Sequence, residues 1–314
     1  MHNSAVRKED VLMSASKSLV RVKHILCPTD LTVNSQKSLS YGAQIAATLD
    51  AKLTVFHSAV DSWLYRSEEQ FKEGREEIEA AMKLAVVRGL ETEFGVVDLN
   101  VIIEKNAEPA SAIPRLAREL GVGLIVMRAR PGVLSAFHFG SIVDRVLSKA
   151  SCPVLLIPSR YLDDHDPDVE TLSFSRILFD YDFSQATDEL FHVANALTQD
   201  YSAELHVLSV LEPPTIKDVE FSVPRASQLS LQNAVQDRLR SAIRSEGMSS
   251  DAIPATVEWG PHADRVLQYA ERHHIDLICA ALATPNALFQ KIYRTYLGKL
   301  LASATCPVLL RQSV

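Results

Sequence analysis

The sequence predicts an α/β protein built from two doubly wound domains, each a parallel sheet with helices on both faces, and three observations carry that expectation. Length is the first: at about 100–200 residues per domain, 314 residues make roughly two domains. Internal repetition is the second. Val22–Asp30 reads VKHILCPTD and Phe174–Asp182 reads FSRILFDYD, while SKASCPVLLIP closes one half and ASATCPVLLRQ the other. The aspartates ending the first pair stand 152 residues apart and the cysteines of the second pair 154. A period that long means one domain duplicated rather than a solenoid. The third observation is that short apolar runs alternate with stretches of helical period.

Taken in order, the first copy places strands at Ile25–Cys27, Leu53–Phe56, Val101–Ile103, Leu124–Met127 and Val154–Ile157. Their lack of strict apolar/polar alternation fits strands covered on both faces. Helices fall between them. Leu39, Ala43, Ala46 and Leu49 share one helical face, and Glu68–Arg88 is a charged helix with Ile78, Met82 and Ala85 as its apolar stripe. Ile113, Leu116, Ala117 and Leu120 form a third face, and Ile142, Val143, Val146, Leu147 and Ala150 a fourth. The second copy repeats the plan with strands near Ile177–Phe179, Leu205–Val210, Thr256–Glu258, Leu277–Cys279 and Val308–Leu310. Strand and helix alternating in this way imply parallel sheets with right-handed crossovers. The domain boundaries read as a flexible polar arm over 1–20, a first domain over 21–158, a linker over 159–174 and a second domain over 175–314. The linker, rich in Asp and Pro, is expected to be exposed.

Composition limits the function. With 47% hydrophobic and 23% charged residues the chain is an ordinary globular one, and its net charge of −7 opposes non-specific attraction to nucleic acid or anionic lipid. No apolar run approaches the roughly 20 residues a bilayer span needs, and the N-terminal stretch has no signal-peptide core. Cys27, Cys152, Cys279 and Cys306 form no CxxC pair and sit in or beside apolar runs. They read as small buried hydrophobes in a reducing compartment, so a cytoplasmic protein with no membrane and no nucleic-acid partner is expected.

Motifs for covalent or metal chemistry are missing: there is no GxSxG and no HExxH. His57 ends the second strand, but its counterpart in the repeat is Ser209, so it reads as a satisfied histidine. His273-His274 suits a helix C-terminus, and His262 with Asp264 reads as capping at a helix entrance. Tyr293, Arg294, Tyr296 and Lys299 read as a solvated helix face with the tyrosines packed partly inward.

The opening strand followed by Pro28-Thr29-Asp30, the LIVM strand, Gly140-Ser141 opening a helix and Cys-Pro-Val-Leu-Leu at both final strands, in the same order twice, resemble the universal stress protein family in its tandem form. That resemblance implies a five-stranded parallel sheet per domain and, in many members, adenine nucleotide such as ATP bound between the first and fourth strands. The general rule for open α/β sheets puts a crevice at the same switch point. The resemblance carries nucleoside contact to Asp30 and Ser58, and to Asp182 in the second copy. Asp30, Thr32, Asn34 and Ser35 are equally good turn and cap formers, so structure alone also accounts for them.

The family's phosphate loop, Gly-x2-Gly-x9-Gly-Ser/Thr, lets backbone N–H groups approach phosphate. Here the first copy keeps Gly140 and Ser141 but has Arg128 and Pro131 at the earlier glycine positions. The second has Ala281, Thr284 and Arg294 and keeps only Thr295. Arg128 and Arg130 either bind an anion through their side chains or fill the crevice. Weak or absent ATP binding is therefore expected, more so in the second copy. The resemblance further implies that the terminal strands of the two copies pair, making an internal pseudo-dimer. The function expected is a stress-response regulatory or protective binding protein, with an unknown protein or small-anion partner, rather than an enzyme. A nucleotide-dependent switch or slow adenine nucleotide hydrolase, and a purely structural interaction protein, are the alternatives.

Overall fold

The computed structural model describes residues 22–59, 68–90, 97–129, 141–167, 170–212, 215–216, 219–220, 224–245, 248, 253–282 and 287–312. The arm expected over 1–20 lies outside them. Each expected strand forms and overruns its apolar run at one or both ends. The first half runs β1 (His24–Thr29), α1 (Val33–Thr48), β2 (Lys52–Ala59), α2 (Glu68–Leu90), β3 (Leu99–Lys105), α3 (Pro109–Glu119), β4 (Leu124–Ala129), α4 (Ser141–Leu147) and β5 (Val154–Pro158). A short α5 (Ser159–Asp164) leads into the second half. There follow β6 (Arg176–Asp180), α6 (Gln185–Asp200), β7 (Glu204–Leu211), β8 (Thr215–Ile216), β9 (Val219–Glu220), α7 (Arg225–Ser245), β10 (Ala255–Trp259), α8 (His262–Arg272), β11 (Leu277–Leu282), α9 (Ala287–Ser303) and β12 (Val308–Gln312). Among the described residues the β8–β9 ladder is the additional strand pair, and two-residue strands are too short to leave a periodic signal.

Ten strands form one sheet in the order β10-β7-β6-β11-β12-β5-β4-β1-β2-β3. Pairing is parallel within each half and antiparallel between β12 and β5. The register at that seam is self-complementary: Leu309 faces Leu155, Val308 faces Leu156 and Leu310 faces Val154. Because Val154, Leu155 and Leu156 are the repeat counterparts of Val308, Leu309 and Leu310, the central leucines face each other and the flanking pairs exchange, which is the isologous form of a two-fold interface. The 2-residue period of the strands then builds two cores. Ile25, Cys27, Val55, Val126, Leu155, Leu309, Cys279, Phe179 and Val207 face one side. Leu26, Phe56, Ile125, Leu156, Leu310, Ile278, Leu178 and Leu208 face the other. Both cores run across the seam. The sulfurs of all four cysteines are buried and unpaired, and burial raises each thiol pKa, to about 12 at Cys152 and Cys306.

The linker departs from the expectation of an exposed segment. Its Asp-rich surface is solvated, yet Leu162, Leu172 and Phe174 are buried, and α1 grips the backbone between them. Gln44, fully buried in α1, donates from Nε2 to the carbonyl of Pro167 at 3.3 Å and accepts at Oε1 from the N–H of Leu172 at 2.8 Å. Lys37 Nζ donates to the carbonyls of Leu162 at 2.7 Å and His165 at 3.1 Å, at the C-terminal end of α5. Tyr161 packs on Tyr41 with ring centroids 5.8 Å apart and stacks on His165 at 4.0 Å.

Truncating Gln44 leaves two backbone groups buried without partners, each costing about 1–3 kcal/mol. Gln44→Ala is therefore expected to lower the denaturant midpoint and to open a protease-sensitive site within 159–174. Wild-type stability with an intact linker would show that the grip does not matter.

Candidate functional site

Strand β1 is hydrogen-bonded to both β2 and β4. Residues of α1, after β1, pack into the first core, whereas those of α4, after β4, pack into the second. The chain thus leaves the two neighbouring strands toward opposite faces, and a crevice opens beyond their carboxyl ends. It holds a cavity of about 520 Å³. Pro28, Phe56, Pro109, Ile113, Met127, Ile142 and Val143 supply its apolar walls, and Thr29, Asp30, Ser35, His57, Ser58 and Arg128 its polar groups. Ile142, expected on the buried stripe of its helix, is 38% exposed because it stands in the first turn of α4 beside this opening.

Asp30 is fixed by local chemistry. Leu31 takes a left-handed φ of 62°, a conformation that costs a non-glycine residue about 1–3 kcal/mol. The reversal sends Thr32 back onto Asp30, whose Oδ1 accepts the Thr32 N–H at 3.1 Å and the Thr32 hydroxyl at 2.5 Å. Across the crevice Arg128 Nη2 reaches Asp30 Oδ2 at 3.2 Å. Partial burial pushes this carboxyl's pKa upward, but the hydroxyls of Thr32 and Ser35, the Thr32 N–H and the Arg128 charge together outweigh it and hold the pKa at about 2. Of the two readings open for Arg128, anion fork or bulk filler, the geometry shows a third: the guanidinium is already paired within the site.

The remaining polar groups are also committed. His57 Nδ1 donates to the carbonyl of Thr29 at 2.9 Å, which is the satisfied histidine expected. The Ser58 hydroxyl lines the cavity but donates to the carbonyl of Ala107. Glu108 caps α3 by accepting the Ala110 N–H at 3.3 Å, and Arg145 of α4 pairs with both its oxygens at 2.8 Å. The structure brings Asp30, Ser58 and Arg128 to one cavity. Ser141 is the first residue of α4. Arg130, Pro131 and Gly140 lie outside the described residues, as does Thr284 of the second copy.

The second copy keeps the turn. Phe183 repeats the left-handed φ of 62°. Asp182 Oδ1 accepts the Ser184 N–H at 2.9 Å and the Thr187 hydroxyl. Ala281 is buried at the end of β11 and Thr295 is exposed on α9.

Three residues not singled out as a group meet between these elements. Asp180, 4% exposed at the end of β6, receives the Tyr296 hydroxyl on Oδ2 at 2.6 Å. His262 Nε2 reaches its Oδ1 and Oδ2 at 2.9 and 2.8 Å. His262 therefore turns inward onto a carboxylate instead of capping α8, and Asp264 pairs with Lys299 at 2.5 Å. By repeat position, Asp180, His262 and Tyr296 correspond to Pro28, Pro109 and Ile142, which line the first cavity. The signal was present in the repeat itself, where FDYD stands against CPTD. No group of three or more His, Cys, Asp or Glu residues suited to a metal occurs among the described residues.

A sequence profile of the Universal stress protein family matches residues 21–158 and again 173–311. Universal stress protein MJ0531 of Methanocaldococcus jannaschii is 29% identical over 147 residues, 43% of this chain and 81% of that protein. Universal stress protein YxiE of Bacillus subtilis is 30% identical over 142 residues, 39% of this chain and 90% of that one. Among solved structures, a universal stress protein from Archaeoglobus fulgidus has a TM-score of 0.61 at 20% identity, covering 92% of this chain and 96% of its own. The functionally unknown protein PA1789 from Pseudomonas aeruginosa has a TM-score of 0.59 at 16% identity, covering 93% and 92%. These two share the fold across both halves.

Asp30 is expected to titrate near pH 2 when followed by carboxyl NMR, against an ordinary value of 3.8. Since the folded pKa lies below the unfolded one, its contribution to stability is present above about pH 4 and is lost as pH falls through 2. Thr32→Val should raise the midpoint more than Arg128→Met does. A wild-type midpoint near 3.8, or the reverse order, would contradict the geometry.

Proposed function

Because the chain belongs to the universal stress protein family, with the family's domain present twice, we propose that it is a stress-response regulatory or protective binding protein whose first cleft takes an adenine nucleoside or nucleotide weakly and whose second takes none. The observation that carries this reading is the asymmetry of the clefts. The first has a cavity of about 520 Å³, within the range of about 300–1,000 Å³ usual for small-molecule sites. At the corresponding positions of the second stand Asp180, His262 and Tyr296, the last two both bonded to the Asp180 carboxylate.

Weakness follows from the phosphate side. Pro131 has no N–H to give, and a hydrogen bond to a charged group contributes about 1.5–3 kcal/mol, so this loss weakens phosphate binding by about 10–10²-fold, while the Arg128 side chain hinders close backbone approach at the other glycine position. Arg128 offers little compensation, since an incoming phosphate must compete with Asp30 for it. Catalysis is disfavoured because His57 and Ser58 are already bonded to carbonyls and form no base–nucleophile pair. Four buried, unpaired thiols favour a reducing, cytoplasmic setting. The two copies act as an internal pseudo-dimer.

In equilibrium titrations of the full chain, adenosine and ATP should bind once per chain with affinities within about tenfold of each other. Both should be lost in Asp30→Ala, and no phosphate should be released from ATP above a protein-free control. Two sites per chain, ATP preferred more than a hundredfold over adenosine, or turnover that Asp30→Ala abolishes would overturn the reading.

A further inference from the structure

In the first domain the residues at the crevice walls are Pro28, Pro109 and Ile142, which leave room and carry no titratable group. Their counterparts come from three different elements of the second domain: Asp180 ends β6, His262 opens α8 and Tyr296 lies on α9. His262 and Tyr296 converge on the carboxylate of Asp180, which is 4% exposed. An ionised carboxylate at that depth is costly unless it is paired and hydrogen-bonded. We propose that Asp180, His262 and Tyr296 form a proton-operated latch in the second cleft: the imidazolium of His262 holds α8 and α9 against the end of β6, and loss of its proton lets them part.

The geometry supports each half of this statement. With its proton, His262 makes a charge-assisted contact to both Asp180 oxygens while Tyr296 satisfies Oδ2 from the other side. The His262 and Tyr296 rings pack with centroids 4.7 Å apart, so the latch also closes the space between α8 and α9. The surroundings are acidic. Glu212, after β7, accepts the His262 backbone N–H at 2.7 Å, and Asp182 follows β6. On α8 and α9 themselves, Asp264 and Lys299 neutralise each other. A neutral imidazole keeps an N–H for Asp180 but loses its charge, and with it the direct attraction of cation for carboxylate. Asp180 would then stand buried near Asp182 and Glu212 without the imidazolium charge that had offset them.

The sign follows. Burial alone would lower the His262 pKa, but the charges of Asp180, Glu212 and Asp182 and the bond to Asp180 outweigh it and raise the pKa above 6.5. Latch stabilisation is therefore complete below pH 6.5 and disappears as pH rises through the folded value. Each unit by which that value exceeds 6.5 is about a tenfold change in the latch equilibrium. The inference depends on the second cleft alone, so it stands or falls independently of whether the first binds a nucleotide.

Histidine-selective NMR of the full chain tests it, with the His262 resonance identified by its absence in His262→Gln. Its midpoint should lie above 6.5 and should fall in Asp180→Asn. If that variant does not fold, exposed Glu212→Gln should lower the midpoint in the same direction by less. Hydrogen exchange supplies the mechanical readout: after correction for intrinsic base catalysis, protection of α8 and α9 should drop as pH crosses the midpoint. In His262→Gln that drop should vanish, and α3 of the first domain should show none in either protein. A His262 midpoint at or below 6.5, a midpoint that the acidic substitutions leave unchanged, or a pH-dependent loss of protection that persists in His262→Gln would overturn the latch.

Discussion

The pairing of β5 with β12 is the contact on which the remainder of the structure rests. Each half alone ends in a strand whose side chains are all or mostly buried, VLLIP at β5 and VLLRQ at β12. Left open, such an edge would present unpaired backbone groups on an apolar surface, the arrangement most prone to indiscriminate association. Pairing the two edges antiparallel, centred on Leu155 and Leu309, removes both at once. It leaves as outer edges β3 and β10, whose residues are mostly half-buried. It also fixes the direction of the clefts. Strands are parallel within each half and antiparallel at the seam, so the carboxyl ends that form the two crevices lie on opposite margins of the sheet.

Separation of that kind lets one domain diverge without disturbing the other, and at the crevices the divergence is plain in the walls. The turn that holds the first acid is local: an aspartate, a left-handed residue, and a backbone N–H three positions into the motif, the same at Asp30-Leu31-Thr32 and Asp182-Phe183-Ser184. Its geometry depends on neighbours in sequence, so it survives in both copies. The walls come from strand ends and helix starts far apart in the chain, where a substitution changes what fills the crevice and little else. Pro28, Pro109 and Ile142 leave a cavity; Asp180, His262 and Tyr296 stand at the corresponding positions as a bonded cluster.

This division also explains what was legible in the sequence. Strands were visible because burial on both faces forces continuous apolar runs, and the helices α1 to α3 because their buried faces repeat at helical spacing. The pairing of the terminal strands was implied by the family resemblance once the repeat showed that the chain holds two copies. Gln44 was not, since a glutamine within a helix reads as a solvated position until the backbone it grips is in place. The linker misled for a related reason: its Asp and Pro content is real, but Leu162, Leu172 and Phe174 anchor it from beneath. His262 read as a cap because its position at a helix entrance is a local fact, whereas its partner Asp180 lies 82 residues away. Composition and spacing report neighbours along the chain well; they report neighbours across a crevice only where the repeat allows one copy to be compared with the other.

Amide exchange at the seam tests this account most directly. If β5 and β12 are interior strands of one ten-stranded sheet, the amides of Leu155, Leu156, Leu309 and Leu310 belong to the slowest-exchanging set, together with those of β1 and β4, and exchange only by global unfolding. Exchange of those four amides at the rate of the outer strands β3 and β10 would mean that the halves part in solution, and would contradict it.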